Sequence, residues 1–298
     1  MVDHHILLQR LQCSFGIDAT VLHWLESYVT GRSQAVHLCG TTTSSRSLVC
    51  GVPQGSVLGP LLFALYTADI GTIIKAHKLL HHCYADDTQM YFYCRPSECE
   101  TLKANVLSCI DAVADWITVN KLRLNPSKSE FLWCATLRRR HHISKECFTF
   151  PDGDVQPVGS VRNLGAFFDS DMTMKTHVNR LVSSCYYQLR QIRSIRRSIP
   201  TTIAITLMNS FVLNRFDYCN SLLVSLPAYQ IHRIQIILND AARLIFGGSR
   251  SDHVTPILRH RLHWLLAPQC IEFKVALLMY KEINNLASDY IISYQWRN

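Results

Sequence analysis

The sequence predicts an α+β chain in two parts, short strands mixed with helices over residues 1–172 and helices alone over 173–298. Three observations carry that division. β-prone runs bounded by turn residues occur only before Met172, whereas apolar side chains at helical spacing dominate after it. Charge changes at the same place: residues 1–172 hold 15 basic and 16 acidic side chains, and residues 173–298 hold 15 basic and 6 acidic. With 48% hydrophobic and 17% charged residues the chain is too apolar for a disordered tail, and 12 Gly and 10 Pro are too dispersed for a collagen-like or low-complexity protein.

Taken in order, Ile6, Leu7 and Leu11, then Val21, Leu22, Leu25 and Val29, predict two short helices broken near Phe15-Gly16. Ser33–Val49, rich in Ser, Thr and Val with Gly40 in the middle, reads as a β-hairpin. Gly51-Val52-Pro53-Gln54-Gly55-Ser56 is turn chemistry leading into an apolar run, Val57 to Ile74, that predicts a buried helix. Leu79–Tyr84 and Gln89–Tyr93 are expected strands around a turn at Ala85-Asp86-Asp87-Thr88. Leu102, Val106, Ile110, Val113 and Ile117 mark an amphipathic helix that stops before Asn125-Pro126. Strands are expected at Phe131–Cys134 and Val161–Phe168, with Arg138-Arg139-Arg140 in a loop between them, and helices over 173–199, 201–224, 229–246 and 268–286.

The twelve cysteines contain no CxxC pair, and no secretory pattern opens the chain, so the thiols are expected reduced and mostly buried in an intracellular protein of the nucleus or cytoplasm. His81, His82, Cys83, Cys94 and Cys99, with His141, His142 and Cys147 downstream, lack the spacing of a structural zinc site. The stretch Val57–Ile74 is interrupted by Pro60 and Asp69, so no membrane span is expected.

Asp86-Asp87 is the sharpest chemical feature. Adjacent carboxylates at the tip of a turn between apolar strands suit a hard divalent cation, although acids in turns are commonly turn formers alone. Their company narrows the reading. Tyr84-Ala85-Asp86-Asp87, preceded by Gly51-Val52-Pro53-Gln54-Gly55-Ser56-Val57-Leu58-Gly59-Pro60, resembles the reverse transcriptases of non-LTR (LINE-type) retrotransposons, of the jockey and chicken-repeat branch. Asn120-Lys121-Leu122-Arg123-Leu124-Asn125-Pro126-Ser127-Lys128, Val161-Arg162-Asn163-Leu164-Gly165, Asp217-Tyr218-Cys219-Asn220-Ser221 and Asp252-His253-Val254-Thr255-Pro256 are similar to stretches of the same family.

The resemblance implies a reverse-transcriptase palm with a small antiparallel sheet in 1–172, followed by an all-helical thumb and C-terminal extension in 173–298. It implies nucleotidyl transfer by two Mg²⁺ ions, an RNA template and a DNA primer as partners, and no small-molecule cofactor. Asp86 and Asp87 would hold metal, Gln54, Gly55 and Tyr84 would meet nucleotide and template, Lys128 would support the leaving pyrophosphate, and Asn163, Leu164 and Gly165 would grip the primer. Arg190, Arg193, Arg196 and Arg197, three or four apart, would offer a cationic stripe to a nucleic-acid backbone, with an ordinary solvated helix face as the alternative. Tyr91, Phe92 and Tyr93 beside the acids are core residues by default, with one or two able to stack on a base.

Within the resemblance, Met1–Leu8 matches the helix that follows the first catalytic aspartate, so the polymerase is expected to be impaired as written. Asp3 is then a helix-capping acid rather than a substitute ligand. The alternative expectation is a catalytically dead remnant that binds nucleic acid through its basic second half.

Overall fold

In the computed structural model, residues 2–136, 138, 148–150, 153–249 and 251–288 are described. Arg139, Arg140, His141, His142 and Cys147 lie outside them. By contact the chain divides into two units, Met1–Phe131 with Arg138–Pro157, and Leu132–Leu137 with Val158–Asn298.

The first unit opens with helices α1 (His4–Phe15) and α2 (Ala19–Val29), separated by Gly16 in the left-handed region at φ 65°. Asp3 caps α1, its carboxylate accepting from the Ile6 amide at 3.1 Å and pairing with Lys121 at 2.7 Å. The hydrogen bond from Lys121 is the main reason the Asp3 carboxyl titrates below its ordinary value. A nested hairpin follows: β1 (Ser33–Gln34) pairs with β4 (Arg46–Ser47) outside β2 (His37–Leu38) and β3 (Thr41–Thr42).

The apolar run after Gly51 forms two helices rather than the one expected, α3 (Leu58–Thr67) and α4 (Ile70–Ala76). Leu58–Ala76 is long and apolar enough to cross a membrane by length and composition. Within this unit, however, it turns at Ala68-Asp69, buries Leu62, Tyr66, Ile70 and Ile74, and pairs Asp69 with Arg10 at 3.1 Å. Then come β5 (Leu80–Tyr84), β6 (Asp87–Tyr91) and α5 (Cys99–Val119). Val106, Ile110, Val113 and Ile117 are buried along one stripe of α5, which packs on α4 and on β7 (Phe148–Phe150), itself paired with β8 (Gly153–Val155). A second cluster, Val2, Leu7, Leu11, Leu25, Val29, Leu62 and Tyr66, joins α1, α2 and α3.

The second unit holds the hairpin β9 (Ser160–Asn163) and β10 (Ala166–Asp169), then α6 (Lys175–Ile195), α7 (Thr201–Met208), α8 (Asn214–Asp217), α9 (Ala228–Phe246) and α10 (Ala267–Ile283). A π turn over Asn209–Leu213 links α7 to α8. Its core interleaves Val178, Leu181, Cys185, Leu189 and Ile192 of α6 with Ile234, Ile237, Leu238, Ala241, Ala242 and Ile245 of α9, the spacing expected of facing amphipathic helices. Cys185 is a buried hydrophobe of this core, and burial pushes its thiol up to about 11.

Among the described residues every ladder is two-stranded, so strands and helices mix as expected, but five separate antiparallel pairs stand where one small sheet was expected. The strand expected at Phe131–Cys134 is reduced to one bridge, Phe131 to Pro157, since among the described residues no strand lies alongside to complete a ladder.

Candidate active site

The acidic tip lies between β5 and β6. Tyr84 pairs directly with Asp87, leaving a two-residue loop of Ala85 and Asp86 in which Ala85 adopts φ 53°. A left-handed alanine costs about 1 kcal/mol. Register sets the faces: Leu80, His82, Tyr84, Asp87, Gln89 and Tyr91 share one, and His81, Cys83, Thr88 and Met90 the other. Asp86 therefore projects from the loop while Asp87 joins the face of Tyr84. Both carboxylates are exposed and Tyr84 is 67% exposed, so the acids stand together without the desolvation cost that adjacent acids between apolar strands would otherwise meet.

The hairpin is braced from behind. A Cβ at Gly71 in α4 would stand 2.5 Å from Nε2 of His81, so the imidazole lies where that methyl group would be. Burial there, reinforced by Lys75 and His82, lowers the His81 pKa. On the other face His82 stacks on Tyr91 with centroids 5.2 Å apart, and their Nε2 and Oη are 2.9 Å apart. Phe92 stacks on Phe131 at 6.3 Å, while Tyr93 is exposed.

Gln54 and Gly55 occupy an exposed turn, with Gly55 at φ 74°. The next residue ties this turn to α3: Ser56 Oγ donates to the Pro53 carbonyl at 2.7 Å and accepts from the Gly59 amide at 3.0 Å. At the other end of the segment the Gly51 carbonyl accepts from Nε2 of buried His4 at 2.8 Å and from Arg32. Lys128 ends a 3₁₀ turn, Pro126–Lys128, and is exposed, its amide donating to the Asn125 carbonyl at 3.1 Å.

Asn163, Leu164 and Gly165 belong to the second unit, where they form the turn between β9 and β10, with Leu164 at φ 44° and Gly165 at φ 90°. This hairpin is fastened to α6. The Thr176 amide donates to Asp169 at 3.0 Å, the Phe167 amide donates to Nδ1 of His177 at 3.4 Å, and Arg180 lies 4.4 Å over the Phe167 ring. Arg190, Arg193 and Arg197 are exposed. Arg196 departs from the expected stripe: its guanidinium donates to the carbonyls of Leu244, Ile245 and Ile199 and to Thr201 Oγ1, closing the C-terminal end of α9.

One cluster of the first unit escaped the sequence reading. Arg10 donates to Asn120 Oδ1 at 2.8 Å and to the Tyr66 carbonyl, pairs with Asp69, and lies 5.3 and 5.1 Å from the centroids of the Tyr66 and Trp116 rings. Tyr66 Oη in turn donates to the Asn120 carbonyl at 2.6 Å. Arg10 thus joins α1 to α3 and to the end of α5. The only signal in the sequence was an arginine amid the apolar positions of α1.

Chemically, the tip supplies hard oxygen donors, Gln54 an amide that both donates and accepts, and Lys128 a compact positive charge. The acids suit magnesium in kind and fall short in number: among the described residues no three His, Cys, Asp or Glu side chains gather to hold a metal.

Residues 1–166 match the reverse transcriptase (RNA-dependent DNA polymerase) family. The chain is 28% identical over 253 residues to a probable RNA-directed DNA polymerase from transposon X-element of Drosophila melanogaster, covering 82% of this chain and 26% of that protein. It is 28% identical over 176 residues to one from transposon BS of the same organism, covering 57% of this chain and 19% of the relative. With the RNA-directed DNA polymerase from mobile element jockey of Drosophila funebris the identity is 27% over 168 residues, covering 54% and 17%. The chain thus spans about a quarter or less of the length of these relatives. The matched stretch includes the Gln54-Gly55 turn, the acidic tip, Lys128 and the β9–β10 turn, and the chain belongs to the reverse transcriptase family, of the non-LTR retrotransposon kind.

Proposed function

We propose that residues 1–298 are part of an RNA-directed DNA polymerase of a non-LTR retrotransposon, with residues 1–172 contributing to its palm and 173–298 forming its thumb and C-terminal extension. The observation that carries this reading is the exposed carboxylate pair on a tight hairpin inside the family-matched stretch. Asp86 and Asp87 would hold Mg²⁺, which when bound activates the attacking hydroxyl and stabilises charge on the leaving pyrophosphate. The chain's own residues bind and orient: Gln54 and Gly55 meet nucleotide and template with Tyr84 beside them, Lys128 supports the departing phosphates, and Asn163-Leu164-Gly165 holds the primer end. Arg190, Arg193 and Arg197 contact the phosphate backbone of the RNA–DNA duplex without reading sequence.

A two-metal site takes carboxylates from more than one strand, and the resemblance gives this segment only those of the tip, so we expect residues 1–298 by themselves to bind primed template without extending it. The 15 basic against 6 acidic side chains in 173–298 favour the second reading, a binding remnant that holds nucleic acid through this half. Primer extension on an RNA template with Mg²⁺ separates them. A longer translation of the same frame that extends primers, and loses extension on Asp86→Asn, supports the polymerase. Extension untouched by Asp86→Asn refutes the placement of the metal, and a longer frame without extension leaves the binding remnant.

A further inference from the structure

The β9–β10 turn is held by a residue from a different part of the second unit. Tyr218 donates its Oη to the Leu164 carbonyl, and its ring lies against the next residue: a Cβ at Gly165 would stand 3.2 Å from Tyr218 Cε1. Gly165, at φ 90°, is thus both the residue that can take the left-handed turn and the one that leaves room for the ring. Leu164, at φ 44°, has no such ease, and its conformation persists because its carbonyl is tethered.

Tyr218 is itself aimed by its neighbours. It follows α8 directly, and Cys219 after it takes φ 57°. On its other side Asp217 pairs with Lys274 of α10 at 2.9 Å and accepts from Nδ2 of fully buried Asn220 at 3.3 Å. Yet Tyr218 is 53% exposed, so its ring is not spent on core packing. A side chain fixed on both flanks, half in solvent and bonded to the backbone of a turn 54 residues away is built to set the shape of that turn.

We infer that Tyr218 is the positioning residue of the Asn163–Gly165 turn, and that through it this unit distinguishes a recessed primer 3′ end from a continuous duplex. The inference rests on the assignment of that turn to the primer made above. Loss of the Oη leaves the ring in place against Gly165 while releasing the Leu164 carbonyl, so the turn is freed with little change to the fold.

The test compares the 298-residue chain with its Tyr218→Phe variant, using Tyr187→Phe, an exposed tyrosine on α6, as the control. Affinities are measured at one salt concentration for an RNA–DNA duplex with a recessed DNA 3′ end and for a blunt duplex of the same length. The wild type and Tyr187→Phe are expected to prefer the recessed end. Tyr218→Phe is expected to lose about fivefold of that preference, the worth of one neutral hydrogen bond, with blunt-duplex affinity and salt dependence unchanged. An unchanged preference in Tyr218→Phe overturns the inference and leaves the primer assignment standing, and so does an equal loss for both duplexes, which marks a merely structural role. A wild type without any preference overturns the primer assignment, and the inference with it.

Discussion

Replacing Arg10 by Met tests whether the first unit is held by a single cationic hub. The Met stem keeps part of the packing, while the charge and all the donors are lost. The Arg10 side chain is 11% exposed, so its contacts are made away from bulk water. Asn120 Oδ1, which accepts from the charged guanidinium at 2.8 Å, loses a bond worth ~1.5–3 kcal/mol. The two aromatic faces of Tyr66 and Trp116 add about 0.5–1 kcal/mol each. The pair with Asp69 adds little, since that carboxylate is 45% exposed and water replaces the lost partner. The contacts share one guanidinium and do not simply add, so a loss of about 3–4 kcal/mol is expected. For a unit of about 150 residues that corresponds to a fall in Tm on the order of 10 °C. Urea denaturation and calorimetry measure it, and Arg10→Lys should retain roughly half, because an ammonium cannot serve the forked acceptors and stack as a plane. A loss below ~1 kcal/mol for Arg10→Met would mean that the apolar contacts around Leu7 and Leu11 hold α1 alone, and the hub would be refuted.

Arg190→Gln, Arg193→Gln and Arg197→Gln should each reduce the slope of log affinity against log salt by about 1 in a nucleic-acid titration. Arg196→Gln should leave the slope alone and lower the stability of the second unit by ~1–3 kcal/mol, because it strips the carbonyls at the end of α9 of their donors. The pH dependence of that unit should carry the mark of His177. Burial lowers its pKa in the fold against the opposing pull of Asp169, so the unfolded chain takes up a proton near pH 6.5 before the folded one does. Stability should therefore be lost as pH falls below that value, by up to about 1.4 kcal/mol per pH unit, until the lowered folded pKa is reached. His177→Asn, whose amide oxygen can still accept from the Phe167 amide, should flatten this slope in denaturation curves taken between pH 7 and pH 5.

Helices were legible in this sequence because their signal is local. Val106, Ile110, Val113 and Ile117 announce the buried stripe of α5, the expected span 173–199 contains α6, and the expected span 229–246 matches α9 to within one residue. The break between α3 and α4 was not legible, because Leu62, Tyr66, Ile70 and Ile74 continue the same period across it. Asp69 at the turn pairs with Arg10, 59 positions away, and no periodicity reports such a partner. Phe131–Cys134 failed for the opposite reason. Its residues are β-prone, but a strand exists only where a partner lies alongside, and pairing is a non-local fact.

At the candidate site the divide runs between the groups that would touch substrate and the groups that aim them. Gln54-Gly55, Asp86-Asp87 and Leu164-Gly165 announce themselves as turns, since Gly and Asp serve backbone shapes that most residues resist. Their supports do not announce themselves, with one instructive exception. Gly71 is the second residue of α4 and has no left-handed conformation to require glycine, so its presence poses a question that its own backbone shape does not answer. The answer is the His81 ring lying where its methyl group would be. Gly165 carries the same message less visibly, because its turn already accounts for it and hides the second reason, the ring of Tyr218. A glycine without a local role thus marks a place where another part of the chain comes close. Here it marks the contact that braces the acidic hairpin, which the motif alone left unsupported.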